Sequence, residues 1–529
     1  MLFGLHILAF ALTCGASLGA LGYRQQRQTA DPLSFDWYAL EPSEDIVWTR
    51  CFDDDFQCAR LTVPLDHADP DADDPKAQLA LQLIPATDKA NYQGTVLVNP
   101  GGPGDSGTAF ILASRDILVD IIGPTFDILG FDVRGTGATL PLAQCFNSTQ
   151  EYDAWARQEV RFLRVGDNSI PLARARDQVF SALCAEKISD FGRFVDASST
   201  AADMLYMLEK FGQDKLLFYG RSYGSILGQF FATLYPQKVG RMILDGVVDG
   251  QSWQDGTDFL TSNVVDVDRL MDKLFANCAM TGPEKCAIWE PTASAVSRRV
   301  DRIIASLEKE PIPIPTSATG PLVLTVDAAL GVVLHQLFFP MTGFPTLVTL
   351  FRAIELRDAT APILALVGST PTSSATAPPW LQPNQVFQTI ACADYGELDG
   401  SLAADAAAVR RATAVSRWAG PLNFARLRIT CGAWSIRAKN RYAGPLAAKL
   451  ETPMLFVSSR LDPGTPLSGA RVAASRFDGT RLLIHETLGH TASGNPNSCA
   501  FAAMKAYMAN GTLPPVGTVC PADSIPLLG

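Results

Sequence analysis

The chain has 529 residues, of which 47% are hydrophobic and 18% charged, with a formal net charge of −11 at pH 7. That composition is globular, not disordered, and the length exceeds one ordinary domain. The acidic balance argues against a nucleic-acid or anionic-membrane partner.

At the N-terminus an apolar run from Leu2 to Leu12 ends in small residues around Ser17 to Ala20, which resembles a secretory signal although no Lys or Arg precedes it. Residues 1–22 are therefore expected to be a signal peptide, or a membrane anchor if uncleaved. Eleven cysteines occur, and Cys14 lies in that segment, so the mature chain would carry an even number. Proximity in sequence suggests Cys51 with Cys58, Cys145 with Cys184, Cys278 with Cys286, Cys392 with Cys431, and Cys499 with Cys520. An oxidising compartment follows, and the chain is expected to be secreted. Sequons at Asn147-Ser148-Thr149 and Asn510-Gly511-Thr512 agree as glycosylation sites. With no Cys-x-x-Cys pair and five histidines, no metal or other cofactor is expected.

Short apolar runs predict strands near 79–85, 95–99, 126–133, 216–220, 241–247, 453–458 and 481–485. Helical segments lie between them, among them 199–212 and 223–235. The alternation predicts an α/β fold, a mostly parallel doubly wound sheet. Residues 40–250 would form the first part of the core, 251–450 an inserted cap, and 451–525 the C-terminal part of the core. The cap is rich in helix formers, as in Ala295 to Lys309 and Leu402 to Trp418, and its Ser/Thr/Pro/Ala stretch from Ser369 to Pro379 reads as an exposed loop.

Between the strand at Leu216–Tyr219 and the helix from 223 stands Gly220-Arg221-Ser222-Tyr223-Gly224. Glycines on either side of a serine at a strand-to-helix turn permit the sharp bend that holds Oγ out as a nucleophile. Ahead of it, the strand at 95–99 runs into Asn99-Pro100-Gly101-Gly102-Pro103-Gly104, where missing side chains let backbone amides approach a substrate oxygen. Gly101 and Gly102, with the amide of Tyr223, are the expected oxyanion donors.

A nucleophilic serine needs a base, and the base needs an acid to fix its tautomer. His490, in a loop after the strand that contains His485, is the expected base. His6 lies in the signal segment, His67 near the start, and His335 in an apolar stretch that reads as core. Chain order in this fold is serine, acid, histidine, so Asp462 in Arg460-Leu461-Asp462-Pro463-Gly464 is the expected acid, with Asp245 or Asp249 as competitors. Gly104-Asp105-Ser106-Gly107 looks like the serine motif of trypsin-like proteases, but the following segments alternate strand and helix, and Ser106 is set aside.

Together these motifs, with Phe131-Asp132-Val133-Arg134-Gly135-Thr136-Gly137 and the segment from Asp462 through Gly489-His490-Thr491 to Cys520, resemble the secreted tripeptidyl and prolyl aminopeptidases of the α/β-hydrolase fold. The likeness runs over roughly residues 45 to 250 and 385 to 522, and it includes a TAP-like C-terminal segment. Pro100 stands where prolyl iminopeptidases carry a histidine, and Asp105 where a small residue is usual. The resemblance implies a cap carboxylate that pairs with the substrate ammonium, with Asp394 and Glu397 as candidates. A serine hydrolase is expected, releasing short peptides or single residues from peptide N-termini. The alternatives are an esterase, lactonase or thioesterase acting on a small metabolite with the same triad, or a non-catalytic binding protein on the same fold.

Overall fold

Short aliphatic and β-branched runs bounded by Gly, Pro and Asp set the central sheet. The computed structural model describes residues 35–52, 56–70, 75–256, 259–315, 321–361, 364 and 384–528. The predicted signal segment and the Ser369–Pro379 loop lie outside the described residues. In chain order the strands are β1 (Thr49–Cys51), β2 (Phe56–Pro64), β3 (Lys76–Ile84), β4 (Thr95–Asn99), β5 (Asp127–Phe131), β6 (Leu216–Arg221), β7 (Val239–Asp245), β8 (Ile312–Ile314), β9 (Leu322–Leu324), β10 (Leu455–Ser459), β11 (Arg481–His485) and β12 (Val519–Cys520). Ten of them form one sheet in the order β1-β2-β3-β5-β4-β6-β7-β10-β11-β12, while β8 and β9 make a separate hairpin. Pairing is antiparallel from β1 to β5 and parallel from β5 through β12.

The helices that matter for the site are α1 (Gly107–Ala113), α2 (Ser169–Gly192), α3 (Ala197–Lys210), α4 (Tyr223–Leu234), α5 (Val386–Asp394), α6 (Asn423–Ala433) and α7 (Ser498–Asn510). They cover both faces of the sheet, so β4 and β10 are buried throughout, around the apolar runs Val96–Val98 and Leu455–Val457. Helices α3 and α4 pack on one face, α1 and α7 on the other.

Sequence reading missed β1, β2 and β12 and the β8–β9 hairpin. In β2 the apolar run is broken by Arg60, which is nonetheless buried: its guanidinium lies over Tyr38 and donates to Gln78 Oε1 on β3. The inserted span is not one body. Buried hydrophobic residues among those described between Val264 and Leu364, with Trp418, Ala419, Leu422 and Leu461, build a second core. Val386, Ile390, Tyr395, Leu427 and Trp434 instead join the core of the sheet.

Five disulfides form, each between cysteines adjacent in sequence: Cys51–Cys58, Cys145–Cys184, Cys278–Cys286, Cys392–Cys431 and Cys499–Cys520. Asn147 and Asn510 are both exposed. Among the described residues no helix is long and apolar enough to cross a membrane.

One buried acid makes stability pH-dependent. Asp177 on α2 is 2% exposed; burial pushes its carboxyl up to about 7, opposed by a hydrogen bond from Thr430 and by Arg176. An aspartate in the unfolded chain titrates near ~3.9, so the folded state holds a proton that the unfolded state has lost in between. Its contribution is complete below that lower value and declines as pH rises through about 7. The Tm of the wild type is expected to fall more steeply from pH 5 to pH 8 than that of Asp177→Asn. Parallel Tm profiles would refute this.

Candidate active site

Ser222 sits between β6 and α4 with φ 57° and ψ −120°, a conformation that a serine adopts only when its surroundings compel it. Those surroundings require its flanking glycines. A Cβ on Gly220 would lie 2.3 Å from Gly224 O, and one on Gly224 would lie 2.8 Å from Asn99 O. Ser222 N donates to Asp245 O at 2.9 Å, which pins the turn to the end of β7. The side chain is half-buried. Among the described residues Ser222 Oγ joins no hydrogen bond; in hydrolases without substrate the contact to the base is often long.

Asp462 follows β10 and His490 follows β11, so both stand at the same edge of the sheet as the elbow. His490 Nδ1 lies 2.9 Å and 3.0 Å from the two Asp462 oxygens. Asp462 is fully buried. Its Oδ1 accepts from Gly464 N and Thr465 N, both at 2.8 Å, and its Oδ2 from Thr465 Oγ1 at 2.7 Å. Burial pushes this carboxyl up, but the facing His490 and these hydrogen bonds outweigh it, holding it below the usual range. An ionised Asp462 keeps the proton on Nδ1 and leaves Nε2 as the basic nitrogen. Gly246, at the end of β7, keeps the space beside the ring open, since a Cβ there would come within 3.4 Å of His490 Cε1. The inserted span adds a wall: Phe338 packs edge-on to the imidazole at 5.1 Å, and its carbonyl accepts from His490 N at 2.9 Å.

The competing residues sit in other environments. His485 is buried in β11, and burial lowers its pKa. His335 sits in the helix Val326–Gln336, with its pKa lowered by burial too. His67 Nε2 is 2.7 Å from Asp203 Oδ1. Asp245 accepts from Tyr219 Oη, Ala492 N and Ser493 N, so it braces the loop that carries His490 and does not touch the ring. Asp249 caps the helix Gly250–Asp255 and pairs with Arg476. Ser106 caps α1 and donates to Asp132 Oδ1 at 2.7 Å.

The oxyanion turn abuts the elbow, because a Cβ on Gly101 would lie 2.8 Å from Ser222 Cβ and 3.1 Å from Tyr223 N. Both glycines have positive φ, 109° and 103°. One expected donor is corrected, however: Gly101 N already donates to Asn99 Oδ1 at 3.1 Å. Among the described residues the amides of Gly102 and Tyr223 donate to no protein acceptor.

Asp394 is also corrected. It is 2% exposed, and both oxygens are occupied, by Ala197 N, Tyr223 Oη and Trp253 Nε1, so it is not offered to a substrate ammonium. Glu397 is exposed in the loop after α5. Asp105, next to the oxyanion turn, is reached by solvent yet ringed by protein: desolvation pushes its carboxyl up, against the pull of Arg221 and His490. Among the described residues no group of three or more His, Cys, Asp or Glu side chains is placed to hold a metal.

Residues 94–279 match the model of the alpha/beta hydrolase fold, and residues 422–520 that of the TAP-like proteins. The chain has the α/β-hydrolase fold, with a C-terminal segment that matches the TAP-like proteins. It is 27% identical over 490 residues to the serine protease Hip1 of Mycobacterium tuberculosis, covering 90% of this chain and 91% of that protein. It is 26% identical to the tripeptidyl aminopeptidase of Streptomyces coelicolor, over 88% of this chain and 84% of that one. Carboxylesterase B of M. tuberculosis is 26% identical over 88% of this chain and 86% of its own length. This α/β-hydrolase is thus a serine hydrolase, an enzyme on its fold.

Proposed function

We propose that this α/β-hydrolase is a secreted serine aminopeptidase that uses Ser222, His490 and Asp462. The observation that carries the reading is the ionised Asp462 bonded to His490 Nδ1 at the sheet edge where Ser222 stands strained against the turn at Gly101. His490 Nε2 takes the Ser222 proton as Oγ bonds to the substrate carbonyl carbon, and the oxyanion is held by the amides of Gly102 and Tyr223. The C–N bond then breaks, and the imidazolium returns the proton to the leaving amine. Water, activated by the same histidine, releases the acyl group and restores Ser222.

Relatives named serine protease and tripeptidyl aminopeptidase support a peptide substrate. So does an accessible carboxylate on the turn that carries Gly102. With Asp394 occupied, Asp105 is the group we assign to the substrate ammonium, through a charge-assisted contact. The disulfides and the apolar leader support secretion.

The test is a panel of free-amine tripeptidyl anilides, their N-acetylated forms and short-chain p-nitrophenyl esters, each with wild type, Asp105→Asn and Ser222→Ala. Free-amine anilides are expected to be cleaved, acetylation to abolish cleavage, and Asp105→Asn to raise KM for the free amines about 10- to 100-fold, the worth of a charge-assisted bond. Turnover of esters alone would replace the aminopeptidase with an esterase on the same triad, a reading that carboxylesterase B keeps in view.

A further inference from the structure

Helix α5 of the inserted span touches both walls of the oxyanion pocket. At its start, a Cβ added to Gly104 would meet Val386 Cγ1 at 2.4 Å, and one added to Gly135 would meet Val386 Cγ2 at 3.2 Å. Gln385 anchors that end, its N donating to Ala143 O at 2.8 Å and its Oε1 accepting from Cys145 N at 2.7 Å. At the other end Asp394 Oδ2 accepts from Tyr223 Oη at 3.0 Å and from Trp253 Nε1 at 2.9 Å, and Oδ1 accepts from Ala197 N at 2.7 Å. The Asp394 carbonyl accepts from Arg441 Nε at 2.8 Å, and the disulfide Cys392–Cys431 ties this end to α6. Trp253 stands edge-on to the Tyr223 ring, with centroids 5.4 Å apart.

Tyr223 is the residue whose main-chain amide faces the developing oxyanion, and its side chain is held from behind by a carboxylate of the inserted span. Amide donors act only when they are held within ~0.5 Å of the productive geometry. A buried carboxylate is costly unless its donors are fixed, so the three donors and Asp394 rigidify one another.

We propose that α5 is the positioning element of the oxyanion hole: Asp394 fixes Tyr223 through its hydroxyl, and Val386 sets the turn that carries Gly102. Asp394 meets neither substrate nor reacting atoms and is a positioning residue. The inference rests on Ser222 as the nucleophile.

A fluorophosphonate probe tests it without knowledge of the substrate. Ser222 Oγ bonds to phosphorus, fluoride leaves, and the phosphoryl oxygen occupies the oxyanion site. The maximal labelling rate and the probe concentration at half-maximal rate are measured for wild type, Tyr223→Phe, Asp394→Asn, the double variant and Ser222→Ala, each checked for an unchanged melting transition. Tyr223→Phe and Asp394→Asn are each expected to slow maximal labelling about 10- to 100-fold at nearly constant half-saturation, part of what loss of a whole donor would cost. The double variant is expected to label no more slowly than the slower single variant, because both break one contact. Tyr223→Phe leaves the bonds from Trp253 and Ala197 in place and carries the test alone if Asp394→Asn does not fold. Wild-type labelling rates in a folded Tyr223→Phe variant would overturn the inference. Labelling of Ser222→Ala would instead overturn the nucleophile assignment beneath it.

Discussion

Asp462→Asn is expected to lower kcat about 10⁴-fold while leaving the protein folded, because it inverts the histidine tautomer. The hydrogen bonds dictate how an asparagine must sit. Oδ1 of Asp462 accepts two backbone N–H groups, from Gly464 and Thr465, which an amide NH₂ cannot face. The asparagine oxygen therefore keeps that place, and its NH₂ takes the position of Oδ2, against Thr465 Oγ1 and His490 Nδ1, giving up only the longer 3.3 Å bond from Thr491 N. The threonine hydroxyl can turn to accept. His490 Nδ1 must accept too, which sends the ring proton to Nε2, where it cannot act as a base toward Ser222. Ser222→Ala and His490→Ala should each cost about 10⁶-fold, since the three act as one unit. Steady-state kinetics on the best panel substrate, with Tm as a control, check this. An Asp462→Asn enzyme within tenfold of wild type would refute the assigned acid.

What could be read from the sequence about this site was local. The strand, the glycine-flanked turn and the helix that surround Ser222 are consecutive, and each of Asp462 and His490 follows its own strand directly. The elbow needs Gly220 and Gly224 for contacts that include residues a few positions away, so pattern and geometry coincide there. Asp394 is the opposite case. Its partners come from residues 197, 223 and 253, segments that only the folded sheet brings together, and nothing near Cys392-Ala393-Asp394 in sequence distinguishes it from a surface acid. The amide of Gly101 lies between these cases: an Asn two residues before a glycine is a known side-chain-to-backbone turn, so the signal that Asn99 would take that amide was present. Strand β2 was lost to periodicity because Arg60 is buried by stacking and hydrogen bonding, which an apolar pattern does not register.

The same long-range logic identifies the substitution with the largest expected cost to stability, Arg134→Met. Arg134, in the turn after β5, is 1% exposed and grips Asp203 of α3 with two parallel bonds, Nε to Oδ2 at 2.7 Å and Nη2 to Oδ1 at 2.8 Å. It also donates to the carbonyls of Leu65, Pro64 and Phe194, joining the end of β2 to the approach to α3, while His67 meets the same carboxylate. Methionine fills much of the volume but leaves three carbonyls without this donor and the carboxylate with His67 alone, a loss of about 3–5 kcal/mol. Lysine does not rescue it, because an ammonium cannot reproduce the planar fork. In wild type, burial pushes the Asp203 carboxyl up, but Arg134 and His67 outweigh it and hold it below the usual range, so the stability it supplies is lost as pH falls through that lowered value. Without Arg134 burial prevails, and Asp203 takes up its proton at higher pH than in wild type. The stability gap between wild type and Arg134→Met, read from urea midpoints and m-values, is therefore expected to be widest near neutrality and to narrow in acid. A gap under about 1 kcal/mol at pH 7, the ordinary cost of a substitution without a buried network, would mean that this contact does not hold the turn after β5 in place.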